Sequence, residues 1–204
     1  MPLRSVDGRR PYRGTVGASR PVDSWHPAHL RLRGVELDRI VGFPGSLVAF
    51  ALVGVLVAVA LLVRRSWLTL VAWLVAVLGG ETLNLLLKDL FARPRPSFEH
   101  PLVVETSYSF PSGQAMESLV VYGMLAYFAV LTSRSQRMRV VSVCGAAVVV
   151  ALTGFSRVYL GAHYVSDVVG GFAAGGAWLS AVITSREAMR QRDIANQRGQ
   201  VSFP

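Results

Sequence analysis

The feature that most constrains this chain is a series of five apolar segments that begins at Phe43. The first, Phe43–Val63, contains no charged residue and is long enough to cross about 30 Å of hydrocarbon as a helix. The other four are Trp67–Leu90, Gln114–Leu131, the short Val140–Phe155, and Tyr164–Ile183. The series predicts an all-α, polytopic membrane bundle with about five transmembrane helices.

The composition supports a membrane protein of one domain. The chain has 204 residues, of which 52% are hydrophobic and only 16% are charged, whereas a soluble domain of this size needs a more charged surface. The net charge of +9 would also suit a nucleic-acid partner. The arginines, however, stand in short clusters beside apolar runs, which indicates contact with anionic lipid instead.

The polar stretches outline the rest of the organisation. Residues 1–29 are rich in Arg, Pro, Gly and Ser and predict a flexible tail, while Leu30–Val41 mixes apolar and charged residues like an interfacial helix. The membrane domain is predicted to cover residues 30–185, followed by a charged C-terminal tail over 186–204. The bias to Arg, Ala, Gly and Val suggests a GC-rich bacterial source and hence the bacterial cytoplasmic membrane.

Arginine placement predicts the orientation. Loops 64–65 and 133–139 and the segment after 185 carry most of the arginines near the membrane, and they alternate with loops 91–111 and 156–163. The positive-inside rule puts this second set on the external, periplasm-like face. Five spans would also put the Arg-rich N-terminal tail outside, so either that tail is exported or Leu30–Val41 re-enters the bilayer.

The end of the second segment carries the first set of polar residues. Glu81, Asn84 and Lys88 share one helical face, and Lys88 is the only lysine in the chain. A Glu81–Lys88 pair could simply join helices, but ionisable groups in a span more often mark a functional cavity. Arg95 follows in a proline-stiffened loop, and its planar guanidinium suits phosphate oxygens. Arg93 is either a helper or a headgroup anchor.

The second set, Pro111-Ser112-Gly113-Gln114, interrupts the apolar pattern just before a helix. Pro111 and Gly113 permit a tight turn, and Ser112 is expected to cap the helix. The free backbone N–H groups at such an N-terminus form an anion site.

The third set, Ser156-Arg157-x5-His163-x3-Asp167, joins the last two apolar segments. His163 and Asp167 are four residues apart at a helix start, so their side chains are expected to meet. Asp167 can then accept a hydrogen bond from one imidazole nitrogen, which fixes the tautomer and leaves the other nitrogen free to attack phosphorus. The guanidinium of Arg157 is suited to bind the equatorial oxygens of a phosphoryl group that His163 attacks.

These three sets, in this order, resemble the motifs of the type 2 phosphatidic acid phosphatase (PAP2) family, membrane lipid phosphatases related to vanadium haloperoxidases. The resemblance runs from roughly Asp38 to Ile183. Many members of that family have six helices, so it implies that this chain lacks the first helix or replaces it with Leu30–Val41.

The resemblance also implies a mechanism and roles for the residues. His163 would be the nucleophile, supported by Asp167, and would form a phosphohistidine that water hydrolyses. The phosphoryl group would be held by Lys88, Arg95, Ser112, Gly113 and Arg157. No metal is implied, and the sequence shows no cluster with metal-ligand spacing.

Two positions depart from the family pattern. The family usually has His where this chain has Gln114, and Gly where it has Glu117. Gln cannot deliver a proton, and general acid catalysis is typically worth about 10²–10⁴-fold. Three explanations stay open: Glu117 acts as the acid, the substrate is a diphosphate with an easier leaving group, or Gln114 is an engineered neutral replacement.

The sequence therefore predicts a phosphatase that acts on a membrane lipid phosphate or diphosphate, with polyprenyl lipids, phosphatidic acid and phosphatidylglycerol phosphate as candidate substrates. Two alternatives remain. A non-catalytic lipid-phosphate binding protein is favoured by Gln114, and a phosphotransferase could use the same nucleophile with another acceptor.

Overall fold

Five α-helices make up most of the described chain in the computed structural model, which describes residues 46–96 and 107–201. They are α1 (Leu47–Val63), α2 (Trp67–Phe91), α3 (Gly113–Thr132), α4 (Gln136–Tyr159) and α5 (Val165–Val201). Neither of these two ranges contains a β-strand. The predicted all-α bundle is thus confirmed, while the predicted tail over 1–29 and the interfacial helix Leu30–Val41 lie outside the described residues.

Two helices are longer than their apolar segments predict. Helix α4 extends beyond Val140–Phe155 at both ends and takes in polar residues on each side. Helix α5 was expected to end near Ile183, but it continues through the charged segment to Val201. The expectation was wrong because it followed hydropathy, whereas Arg, Glu, Gln, Ala and Met of this segment are good helix formers outside the hydrocarbon as well.

Four of these helices, α2 to α5, are long and apolar enough to cross a membrane. Helix α1 is equally apolar but has 17 residues, about 25 Å of helix. Its N-cap is Ser46, whose hydroxyl accepts a hydrogen bond from the Ala49 N–H at 3.2 Å. Many large apolar side chains on the helices are exposed, as expected for surfaces that face lipid.

Helix α3 is the centre of the bundle, since it packs against each of the other four helices. Its Val120, Val121 and Met124 form the core together with residues of α1, α2 and α5. Two tryptophans link neighbouring helices through the indole N–H. Trp73 donates to the Gly54 carbonyl and Trp178 donates to the Ala76 carbonyl, each at 3.0 Å.

The polar residues collect at the two ends of the bundle. The C-terminal ends of α2 and α4 meet the N-terminal ends of α3 and α5, and this end carries all three predicted motifs. At the opposite end, Arg186 donates to the Tyr127 hydroxyl at 2.7 Å and to the Thr69 hydroxyl at 3.2 Å. That second cluster joins α2, α3 and α5 on the side remote from the motifs.

Candidate active site

His163 lies in the tight turn between α4 and α5. Gly161 takes a φ of 70°, which favours glycine, and lets the chain reverse. The backbone N–H groups of Ala162 and His163 then donate to the Arg157 carbonyl at 3.1 and 3.3 Å. The turn buries the His163 side chain, which is only 4% exposed.

The hydrogen bonds of His163 define its tautomer. Its Nδ1 lies 2.8 Å from the backbone carbonyl oxygen of Ser109. Because a carbonyl oxygen only accepts, Nδ1 must carry the proton and Nε2 must hold the lone pair. Nε2 lies 3.3 Å from Nη1 of Arg95. The imidazole therefore directs its nucleophilic nitrogen at a guanidinium.

Asp167 supports His163 less directly than the spacing predicts. Its Oδ2 lies 3.6 Å from Nδ1 of His163, beyond hydrogen-bond distance, so the Ser109 carbonyl is the acceptor instead. Asp167 is fully buried and accepts from the Ser109 hydroxyl, from the Tyr164 N–H at 3.0 Å and from Arg93 at 2.7 Å. The difference arises because Asp167 faces the start of its own helix and the α2–α3 segment.

Arg95 and Lys88 meet next to His163. The Arg95 guanidinium donates to the Ser107 carbonyl at 2.7 Å, the Ser107 hydroxyl at 3.0 Å and the Ala162 carbonyl at 2.9 Å. Lys88 donates to the same Ser107 hydroxyl at 3.0 Å. Two cations from the end of α2 and the loop that follows it are thereby brought to one side of the imidazole.

Ser112 and Gly113 begin α3 at this same site. Ser112 stands at the predicted N-cap position, but its hydroxyl makes no capping hydrogen bond. The hydroxyl is fully buried and has no hydrogen-bond partner among the described residues. A Cβ on Gly113 would lie 3.0 Å from the Asn84 amide oxygen, so glycine lets α3 approach α2 closely. The first N–H groups of α3 lack intrahelical partners, as required for an anion site.

Arg157 lies in the last turn of α4 and is buried. The residue is 6% exposed, and its Nε donates to the Ser156 hydroxyl at 3.2 Å. A guanidinium so removed from solvent is held by partners or meets an anion.

Gln114 and Glu117 occupy the first two turns of α3. The amide oxygen of Gln114 is buried and unpartnered within ranges 46–96 and 107–201. Glu117 of α3 and Glu81 of α2 line the same cavity. This carboxyl pair lies about one helical turn, ~5.4 Å, deeper than the contact between Asn84 and Gly113.

Comparison with known proteins identifies the family. A family model described as the PAP2 superfamily matches residues 67–190, which include all three motifs. The chain belongs to the PAP2 superfamily. The resemblance predicted from the three motifs is thereby confirmed.

Two relatives show how far the sequence similarity extends. Phosphatidylglycerophosphatase B of Bacillus subtilis (strain 168) is 45% identical over 115 residues, 55% of each chain. Lipid phosphate phosphatase delta of Arabidopsis thaliana is 32% identical over 110 residues, 46% of this chain and 26% of that protein. The chain thus spans about half of the first relative and about a quarter of the second.

A solved structure shares the fold. The crystal structure of the first transmembrane PAP2 type phosphatidylglycerolphosphate phosphatase, from Bacillus subtilis, superposes with a TM-score of 0.68 at 30% identity. The superposition covers 81% of this chain and 90% of the other. The arrangement of helices is therefore that of a transmembrane PAP2 protein.

Three residues at this PAP2 site escaped the sequence interpretation. Ser107 and Ser109 carry no signal, because a serine in a loop is too common to single out. Arg93 had a signal, its place beside Arg95 in an Arg-Pro-Arg-Pro run, but that run did not distinguish a helper from a headgroup anchor. In the structure Arg93 pairs with Asp167.

Proposed function

We propose that this chain is an integral-membrane lipid phosphate phosphatase that hydrolyses a phosphomonoester or diphosphate through a phosphohistidine at His163. One observation carries the proposal. The Nδ1 proton of His163 is held by the Ser109 carbonyl, so Nε2 carries the lone pair on the side where Arg95 lies.

In the first step, Nε2 attacks phosphorus as the bond from phosphorus to the lipid oxygen breaks. The charge on the equatorial oxygens is met by groups that are already in place, which makes them effective in a buried site. These groups are Lys88, Arg95, Arg157, the unpartnered Ser112 hydroxyl and the Gly113 N–H.

Glu117 is the proton donor that we propose in place of the missing His at position 114. A carboxyl can carry and release a proton, which the Gln114 amide cannot, and Glu117 lies about one helical turn beyond Gln114. The departing lipid oxygen takes that proton and leaves as an alcohol. In the second step the Glu117 carboxylate accepts a proton from water, whose oxygen attacks the phosphohistidine and releases phosphate and neutral His163. Gln114 would position the oxygens by hydrogen bonding.

The substrate class follows from the membrane bundle and from the relatives. A phosphate site at the end of apolar helices suits a lipid whose headgroup lies at the bilayer surface. Phosphatidylglycerol phosphate is the first substrate to test, because the Bacillus subtilis sequence match and the solved Bacillus subtilis structure are both described as its phosphatase. We place the site on the external face of a bacterial cytoplasmic membrane, since Arg64, Arg137 and Arg190 lie toward the opposite end.

A second candidate is a non-catalytic protein that binds lipid phosphates. Gln114 favours it, because glutamine can hold a phosphate by hydrogen bonding but cannot donate a proton. The His163 tautomer, which binding alone does not require, favours the enzyme.

The deciding experiment is phosphate release by the purified protein in detergent, over a panel of lipid monophosphates and diphosphates. Turnover that His163→Ala abolishes supports the phosphatase. If the protein releases no phosphate but Gln114→His does, the site is that of an enzyme without its acid. If no variant releases phosphate but lipid phosphates bind tightly, the second candidate is supported. Turnover is expected to survive EDTA, because side-chain cations meet the phosphoryl charge.

A leaving-group series tests the role of Glu117. Glu117→Gln is expected to lower kcat/KM on lipid monophosphates by about 10²–10⁴-fold, because the departing alkoxide then lacks a proton. The ratio kcat/KM reports the steps up to phosphohistidine formation and is therefore independent of the role of Glu117 in the second step. It should change far less on p-nitrophenyl phosphate, whose leaving group needs no proton. An equal loss of kcat/KM on both substrates would rule out Glu117 as the acid.

A further inference from the structure

Arg93 connects the α2–α3 segment to the first turn of α5. Its Nη1 lies 2.7 Å from Oδ1 of Asp167 and 2.7 Å from the Ser166 hydroxyl. Its guanidinium also stacks on the Tyr164 ring, 4.4 Å from the ring centroid. One side chain thus contacts three residues around the start of α5, Tyr164, Ser166 and Asp167, the last through its buried carboxylate.

Ser109 completes this connection with all of its polar groups. Its N–H donates to the Arg93 carbonyl at 2.9 Å, and its hydroxyl donates to Oδ2 of Asp167. Its carbonyl accepts the Nδ1 proton of His163 at 2.8 Å. Arg93, Asp167 and Ser109 therefore form a closed ring of contacts, and His163 is attached to it through one hydrogen bond.

We infer that Arg93 and Ser109 are positioning residues for His163, which hold the imidazole in the Nδ1–H tautomer through Asp167 and the Ser109 carbonyl. This inference rests on the proposed function for its catalytic consequence, but not for its structural one. Neither side chain is needed to contact the substrate.

The arrangement has a clear physical advantage for a nucleophilic imidazole. The acceptor at Nδ1 is a neutral carbonyl, and the charge of Asp167 is already paired with Arg93 at 2.7 Å. The carboxylate therefore fixes the position of Ser109 without itself serving as the partner of the ring. An imidazole held this way keeps its Nε2 lone pair directed at the phosphate site.

Loss of the Arg93 guanidinium frees both Asp167 and the loop that carries Ser109. Arg93→Gln is expected to lower kcat roughly 100-fold with little change in KM, because the phosphate-binding cations remain. Arg93→Lys keeps the charge beside Asp167 and should recover most of that loss. Ser109→Ala removes only the hydroxyl and should lower kcat in the same way. Arg137→Gln, the same change at an exposed arginine of the opposite end, is the matched control.

The ¹⁵N spectrum of the imidazole provides a readout that does not depend on turnover. The chain has 4 histidines, and His163→Ala assigns the resonances of His163 in protein labelled at histidine. Wild-type protein and Arg137→Gln should show the single Nδ1–H tautomer, while Arg93→Gln and Ser109→Ala should show a mixture of tautomers.

The outcomes separate the inference from the proposed function. A wild-type tautomer and kcat in both Arg93→Gln and Ser109→Ala would overturn the positioning role, even if His163→Ala is inactive. A raised KM with unchanged kcat in Arg93→Gln would overturn it as well, since Arg93 would then bind substrate. If no lipid is hydrolysed, the proposed function fails and the spectrum still decides the positioning role. If Arg93→Gln does not fold, Ser109→Ala and Arg93→Lys supply the comparison.

Discussion

At the scale of single residues, the site depends on side chains that do several things at once. Arg95 joins Ser107 to Ala162 and reaches Nε2 of His163 with the same guanidinium. A planar fork with five donors can do this, whereas an ammonium group is a compact point charge. We therefore expect that lysine cannot replace arginine at position 95.

Arg95→Lys is therefore expected to lower kcat/KM about 10²–10³-fold, the usual consequence of losing a donor that stabilises developing charge. Steady-state hydrolysis of the best substrate measures it. Arg139→Lys is the control, because Arg139 also binds a carbonyl, that of Ser133, but at the other end of the bundle. Equal activity of Arg95→Lys and Arg139→Lys would show that the planar guanidinium of Arg95 is not required.

Ser112 carries a buried hydroxyl without a hydrogen-bond partner among the described residues, and we expect it to serve the proposed function at a cost in stability. A buried hydroxyl without a partner costs about 1–3 kcal/mol, so Ser112→Ala should leave the thermal midpoint unchanged or raised while KM increases. Ser118→Ala is the matched control, because the buried Ser118 hydroxyl donates to the Ala115 carbonyl at 2.9 Å. A lowered midpoint with an unchanged KM in Ser112→Ala would show that the hydroxyl is structural.

At the scale of helices, the contact between α3 and α5 brings the second and third motifs together. A Cβ on Gly171 would lie 2.6 Å from the Ser112 carbonyl, and one on Gly175 would lie 2.9 Å from the Met116 carbonyl. These glycines let the two backbones approach, as small residues do in membrane bundles. The small residues of α5 thus lie against the start of α3.

Gly171→Ala should push α5 away from Ser112 and thereby disturb both the second and the third motif. We expect a destabilisation of about 1–3 kcal/mol, the usual cost of overpacking, together with a loss of kcat/KM. Thermal unfolding in detergent and hydrolysis rates measure the two effects. Gly176→Ala is the control, since its Cβ would meet only a Leu119 methyl at 3.6 Å. Identical behaviour of the two variants would argue against the close approach.

At the scale of the whole molecule, charge separates the two ends of the bundle. At the motif end, Lys88, Arg95 and Arg157 belong to the candidate site. At the other end, the exposed arginines are Arg64, Arg65, Arg134 and Arg137. The cluster around Arg186 joins α2, α3 and α5 at that same end. This asymmetry predicts that the motif end faces away from the cytoplasm.

Cysteine labelling tests the orientation. In a Cys144→Ala background, a membrane-impermeant maleimide should modify Tyr108→Cys on intact cells, because Tyr108 is exposed at the motif end. Ser135→Cys, exposed between α3 and α4, should react only after permeabilisation. If only Ser135→Cys is labelled on intact cells, the orientation is the opposite of the predicted one. If both variants are labelled, the protein does not have a single orientation.

Several features followed from the sequence because they depend on local chemistry. Long apolar runs predict helices that cross a membrane, and the bounds of α2 and α3 agree with their segments to within two residues. Residue types such as Lys88, Arg95 and His163 predict a phosphate site because few other side chains supply cations and a nucleophile. The order of the three motifs then predicted the family, which the comparisons confirm.

Other features required the tertiary structure, because they depend on contacts between distant parts of the chain. The acceptor of His163 is Ser109, 54 residues away, and the partner of Asp167 is Arg93, 74 residues away. Sequence spacing reports only neighbours within one element, which is why Asp167, four residues from His163, was the expected acceptor. Helix packing angles and side-chain directions decide contacts between elements, and they placed a backbone carbonyl nearer to the imidazole than the carboxylate.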